Sequence, residues 1–219
     1  MKITRISAQK RSDRFNVYVG GIFWAGVSGS VLLKFNLYCG KAVQRSFLTE
    51  VFEYEICSKL YERCVRKLGR RPHSTQELRL YMRSALLKNK KKWFFKTPYE
   101  KNFKNYLESL CDIVADKLVK AGLLSDKKFA EWWVNSRIEY KPRGKFVIRQ
   151  ELISKGISPD IIKSVEVNDE HELTMLNKLV NKLTRNKSLP REKLVLRLKN
   201  KGFSWDMIKK VIDNHYEVD

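Results

Sequence analysis

Glu151-Leu152-Ile153-Ser154-Lys155-Gly156-Ile157-Ser158-Pro159-Asp160-Ile161-Ile162-Lys163-Ser164-Val165 is echoed 46 positions later by Arg197-Leu198-Lys199-Asn200-Lys201-Gly202-Phe203-Ser204-Trp205-Asp206-Met207-Ile208-Lys209-Lys210-Val211. Both stretches read Leu-x-x-Lys-Gly-apolar-Ser-x-Asp-x-Ile-Lys-x-Val. The pattern predicts a helix closed by Gly in a left-handed C-cap, then Ser as an N-cap, then a second amphipathic helix with Asp in its first turn. Recurrence at a fixed period implies a repeated supersecondary unit. Opening helices are expected near 49–68, 126–140 and 169–184, so each unit has three helices.

Upstream, Ile56, Leu60, Cys64 and Leu68 recur at helical spacing, and Arg70-Arg71-Pro72 ends that helix. Ser74-Thr75-Gln76-Glu77 reads as a capping box, followed by the apolar face Leu78, Tyr81, Met82 and Ala85. Leu107, Leu110, Cys111, Val114, Leu118 and Ala121 form a further amphipathic helix stopped by Gly122. Residues 87–105 read as an insertion. Before Thr49 the texture is β-like: Phe15–Val19 alternates, Gly20-Gly21 supplies a tight turn, Ile22–Val27 returns, and Lys2–Ala8 offers a third strand. Helix around Val31–Leu37 links this sheet onward. The expected domains are 1–48 (hairpin and linker helix), 49–124 (first three-helix repeat), 125–167 (second) and 168–219 (third).

The 219 residues carry 45 Lys+Arg against 24 Asp+Glu, a net charge of +21. Such an excess points to a polyanionic partner, most simply nucleic acid. Hydrophobic content of 43% argues against disorder as the cause of the charge. No apolar run approaches the ~18 residues of a membrane span, and Met1–Lys10 lacks a signal-peptide core. Cys39, Cys57, Cys64 and Cys111 show neither a C-x-x-C pair nor metal-ligand spacing, and Cys57 and Cys64 read as small buried apolar groups. A reduced, cytoplasmic chain with no metal and no cofactor is expected.

A resemblance to the RecX family is carried by four segments. Lys2–Ile6 through Arg14–Val19 looks like the family's N-terminal opening, and Arg71-Pro72-His73-Ser74-Thr75-Gln76-Glu77-Leu78 is similar to its Arg-Pro-x-Ser-x-x-Glu-Leu signature. Leu118–Ala130 followed by Arg137 resembles the central motif. Lys141-Pro142-Arg143-Gly144, running on to Glu151-Leu152 and Lys155-Gly156-Ile157, resembles the best-known segment. The chain departs from the family pattern at the insertion and at Gly20-Gly21, which replaces an Asp/Asn-Gly turn. The final repeat is also weak outside its Gly-Phe-Ser turn.

The resemblance implies a mostly α protein: tandem three-helix, helix-turn-helix-like repeats in a curved array, with a small N-terminal β-hairpin or meander. It also implies a monomeric, non-enzymatic regulator. Such a protein lies in the groove of a RecA filament on single-stranded DNA and inhibits ATP hydrolysis, strand exchange and recombination or SOS activity.

The residues themselves take the reading as far as a basic helical repeat protein that binds nucleic acid or an acidic assembly. Candidate contacts are Arg70, Arg71, Arg79, Arg83, Arg137, Lys141, Arg143, Lys145 and Arg149. Those at turns are expected to act with helix N-termini in holding phosphate. Ordinary helix-surface charge explains Arg79 and Arg83 equally well, and Arg137 has an alternative in pairing with a nearby carboxylate. Reversing Arg143 and Lys145 to Glu is expected to leave stability nearly unchanged, because neither serves the apolar face of Val147, Ile148 and Leu152. Lys88 and Lys90–Lys92 before Trp93-Phe94-Phe95-Lys96 interleave charge with rings as single-strand binders do, or belong to a solvated insertion whose aromatics pack on a helix. Trp132, Trp133 and Trp205 read as core.

Catalytic motifs are lacking: His171-Glu172 has no second His four residues after the first, and no Gly-rich phosphate loop occurs. Two other classes stay open, a general single-strand binder and a nuclease with dispersed carboxylates.

Overall fold

A computed structural model describes residues 1–10, 13–88, 103–185 and 189–216. The basic–aromatic stretch 90–96 lies outside them. Strands β1 (Ile3–Ala8), β2 (Arg14–Val19) and β3 (Ile22–Ser28) form an antiparallel sheet in the order β1-β2-β3. Gly20 and Gly21 turn the β2–β3 hairpin at φ 56° and 79°, a region side chains with a Cβ avoid. Helix α1 (Gly29–Lys34) and α2 (Arg45–Leu68) cover one face of the sheet, burying Ile3, Val17, Val27, Val31 and Val51. Helix α2 begins before the expected Thr49. Its N-cap Gln44 makes no side-chain cap bond, so no sequence signal marks the start.

Sheet and helix are joined by a buried carboxylate. Glu55 on α2 accepts from the Ser28 backbone N–H (3.0 Å) and hydroxyl (3.1 Å) and pairs with Arg14 (2.8 Å) and Lys59 (2.9 Å). Burial works to raise its pKa, but the Ser28, Lys59 and Arg14 hydrogen bonds outweigh it and hold the group ionised below its usual range.

Helices α3 (Thr75–Lys88) and α4 (Phe103–Lys120) follow. Cys64 is buried as expected, whereas Cys57 is only half-buried; Cys111 on the apolar stripe of α4 is buried too, and burial pushes the Cys64 and Cys111 thiols up to about 12 and about 11. Two compact units result: residues 1–70 with 79–123, and residues 71–78 with 124–219.

The second unit holds α5 (Asp126–Glu139), α6 (Lys145–Ser154), α7 (Pro159–Ser164), α8 (Asp169–Thr184), α9 (Arg191–Lys199) and α10 (Trp205–Tyr216). Phe129, Leu152, Met175, Leu176, Leu198 and Ile208 lie fully buried at its centre. The echoed segments fold alike. Gly156 (φ 75°) donates to Ile153 O at 2.9 Å while Ile157 donates to Leu152 O at 3.1 Å; Gly202 (φ 84°) and Phe203 repeat the pattern at 2.8 and 3.4 Å. These are Schellman caps. The expected Ser caps differ between the two. The Ser204 hydroxyl accepts from Met207 N at 3.4 Å, whereas Ser158 makes no side-chain cap bond. Pro159 opens α7, where a missing N–H costs nothing.

Trp132 and Trp133 pack against the core, but Trp205 is 53% exposed. It occupies the first position of α10, whose buried stripe is Ile208, Val211 and Ile212, and the Lys199 ammonium lies 4.6 Å from its ring centroid. Reading Trp205 as core is therefore corrected.

Two contacts hold the start of α6. Gly144 N donates to Lys201 O at 3.0 Å, and the backbones approach so closely that a Cβ on Gly144 would run into the Gly202 carbonyl. Glu172, fully buried on α8, accepts from Lys145 N at 3.0 Å. The same device recurs at α3, where Asp126 on α5 accepts from Thr75 N at 2.7 Å.

Candidate nucleic-acid interface

Helix α5 stops at Tyr140 because Pro142 cannot donate and biases Lys141 away from helix. The chain then crosses Lys141, Pro142 and Arg143 to the pinned Gly144. Lys141, Lys145 and Arg149 are exposed and Arg143 is half-buried. Two aromatic rings flank these cations: Tyr140 is 79% exposed and Phe146 64%. Burying such rings elsewhere would be favourable, so their exposure on an anchored turn is informative. A partner that meets this turn finds charge for phosphate and flat faces for bases.

The sequence expectations omitted both rings. Phe146 was discoverable, since it lies about 200° around the helix from Ile148 and must point away from the core.

Partners at long sequence separation sort the remaining candidates. Lys141, Arg143 and Arg149 form no ion pair among the described residues. Lys145 is tied to Asp169 (2.8 Å) and sits 3.8 Å from Glu172. The hydrogen bond that its ammonium donates to Asp169 holds its pKa above the usual range. Lys145 is therefore part of the anchor, and the expectation that its reversal leaves stability unchanged is corrected. Arg137 donates to Glu151 (2.7 Å), to which Trp133 Nε1 also donates (2.9 Å), and stacks 4.2 Å from the Trp133 ring centroid; the pairing alternative holds for it.

Arg71 pairs with Glu77 at 3.1 Å and lies 5.6 Å from the Trp132 ring centroid. In the first unit Arg79 meets Asp112 at 2.8 Å and Arg83 meets Glu108 at 4.0 Å, whereas Arg70 is exposed beside other cations. At the two turns one backbone donor of each helix N-terminus is already taken: Asp126 accepts from Thr75 N of α3 and Glu172 from Lys145 N of α6, and each carboxylate offsets part of the positive end of the helix dipole.

Glu77 shows how strongly the Arg71–Glu77 region is fastened. The Ser74 hydroxyl accepts from Glu77 N (3.1 Å), one half of the expected capping box. The Glu77 carboxylate instead meets Lys155 (2.8 Å), Arg71 (3.1 Å) and His73 (2.9 Å). Burial raises its pKa, but the Lys155, Arg71 and His73 hydrogen bonds prevail and bring it down from 4.5 to about 2. A depressed carboxyl contributes stability that is full above its unfolded value and is lost as pH falls toward about 2. Melting temperatures between about pH 6 and pH 2 should therefore fall less steeply in Glu77→Gln than in the wild type. Parallel acid profiles would show that this cluster contributes nothing.

Among the described residues, no group of three or more His, Cys, Asp or Glu is placed to hold a metal ion, and no helix is long and apolar enough to cross a membrane.

Comparison with known proteins places this geometry in a family. Residues 1–44 match the regulatory protein RecX N-terminal domain, and residues 125–165, which contain the turn, match the second three-helix domain of RecX. The regulatory protein RecX of Bacillus velezensis is 29% identical, with 99% of this chain and 79% of the relative covered. That of Leuconostoc mesenteroides is 25% identical over 97% and 75%. A crystal structure of a regulatory protein RecX superposes with a TM-score of 0.62 at 26% identity, covering 97% of this chain and 98% of that one. Sheet, helical order and turn thus agree with one family from end to end: over nearly its whole length the chain is similar to proteins of the RecX family.

Proposed function

We propose that this protein is a regulator that binds RecA filaments on single-stranded DNA and restrains their ATP hydrolysis and strand exchange, and through them recombination and the SOS response. The observation that carries the reading is the anchored turn from Tyr140 to Phe146, which presents Lys141 and Arg143 between exposed rings in a chain of net charge +21. Relatives named regulatory protein RecX support the regulatory role. Single-stranded DNA on a filament offers a regular phosphate array, which a cationic turn can contact. Binding to bare single strands should be weak and should fall steeply with added salt.

The test is RecA-dependent ATP hydrolysis on single-stranded DNA with and without the purified chain. The rate should fall as the chain is added, while the chain alone hydrolyses no ATP and cuts no DNA. An unchanged RecA rate alongside direct strand binding would make the protein a general single-strand binder instead. Cleavage that survives repurification, and is lost when an Asp or Glu is replaced, would make it a nuclease.

A further inference from the structure

The first unit holds a concentration of cations that the turn does not explain. Arg63, Arg66 and Lys67 in the last turns of α2 and Arg70 just beyond its C-cap Gly69 stand three or four residues apart, the adjacent Arg66 and Lys67 excepted, so they fall on one side of the helix end. With Tyr81 of α3 they line a cleft of about 320 Å³, and no Asp or Glu lines it among the described residues. The Lys67 ammonium stands 4.8 Å from the Tyr81 ring centroid.

Several basic side chains elsewhere are matched: Arg79 with Asp112, Arg83 with Glu108, Arg137 with Glu151, Arg191 with Asp213. Arg66, Lys67 and Arg70 have no carboxylate partner among the described residues. Complementing the C-terminal dipole of α2 accounts for one or two cations in the last turn, not for four on a single stripe. The stripe from Arg63 to Arg70 rises about 10 Å, too long for one phosphate group and suited to consecutive ones. A concave surface lined by cations, with no Asp or Glu in its lining among the described residues, focuses this potential onto whatever enters it.

We propose that this cleft is a second single-strand subsite. Arg66 and Arg70 grip successive backbone phosphates, and the Tyr81 ring meets a base when Lys67 shifts from its face onto a phosphate. The assignment rests on the reading that the chain binds single-stranded DNA, and deepens it by placing a contact on the first unit as well as on the turn of the second.

The experiment follows a fluorescent oligo(dT) by anisotropy across a salt series, using the full chain, the pair Arg66→Gln/Arg70→Gln, the pair Lys141→Gln/Arg143→Gln, and Tyr81→Leu. Gln retains helix propensity, so α2 persists; matching melting curves check this. Losing two phosphate contacts should lower the slope of log affinity against log salt by about 1.4 and weaken binding roughly tenfold at about 0.15 M salt. Tyr81→Leu should weaken binding about fivefold or more with the slope unchanged, since stacking releases no counterions.

Wild-type affinity and slope in the Arg66→Gln/Arg70→Gln pair, with Lys141→Gln/Arg143→Gln impaired, would overturn the cleft and leave the turn standing. ATP competing as effectively as the oligonucleotide would make the cleft a nucleotide pocket and overturn it too. Failure of the wild type itself to bind single strands, alone or on a filament, would remove the underlying reading.

Discussion

Gly144→Ala should lower the melting temperature by roughly 6–12 °C, although the backbone there has an ordinary φ of −64°. The cause is steric. The new Cβ would be driven into the Gly202 carbonyl and the Phe203 amide, both backbone atoms that no rotamer change can move aside. Relief requires the start of α6 to withdraw from the 201–203 turn, breaking the Gly144-to-Lys201 hydrogen bond.

Overpacking costs about 1–3 kcal/mol, and the lost bond adds about 1 kcal/mol. Gly122→Ala makes the discriminating comparison. Gly122 sits at φ 69° with open space around its missing Cβ, so alanine there pays only the left-handed conformational cost of about 1–2 kcal/mol. Calorimetry should rank Gly144→Ala as the more damaging change. The reverse ranking, or a wild-type melting curve for Gly144→Ala, would show that α6 does not dock on the Gly202 turn.

Lys141→Glu/Arg143→Glu should weaken binding to the RecA–DNA filament by roughly tenfold to a hundredfold near 0.15 M salt. Two attractive contacts become repulsive on a turn that cannot swing away, because Gly144 and Lys145 are fixed at its end. Stability should change by about 0.5 kcal/mol or less, since neither cation has an ion-pair partner among the described residues. Inhibition of RecA ATP hydrolysis should fall in proportion.

Lys145 is deliberately left out of this variant. Its ammonium lies beside Asp169 and the buried Glu172, whose Oε2 has no hydrogen-bond partner, so reversing Lys145 would set three carboxylates together. Lys145→Glu should therefore unfold more readily than the double variant. A double variant that binds and inhibits like the wild type would move the contact surface away from this turn.

How much of this was legible beforehand depends on the range of the interactions. Gly156 and Gly202 were readable as left-handed caps because the Schellman pattern closes within six residues, and the Gly20-Gly21 hairpin was readable for the same reason. Helix periodicity located the buried stripes of α4 and α6, and a heptad of spacing sufficed to predict that Cys64 is buried. It also identified Lys141 and Arg143 as cations on a broken helix, and could have identified Phe146 on the outward face. Trp205 was misread because a residue at a helix start was counted with a stripe that begins three positions later.

The sequence by itself determined the local elements, their order, the excess of positive charge and the family resemblance, because each depends on neighbours within a few turns of chain. Only the tertiary structure decided which cations remain unneutralised. Arg137 meets Glu151 14 residues on, Lys145 meets Asp169 after 24, and Arg79 meets Asp112 after 33. The roles of Asp126 and Glu172 were equally hidden, as each caps a helix from a different element, 51 and 27 residues from its donor. Charge is a property of composition, but whether a given charge is available to a partner depends on what folding has brought to within about 4 Å of it.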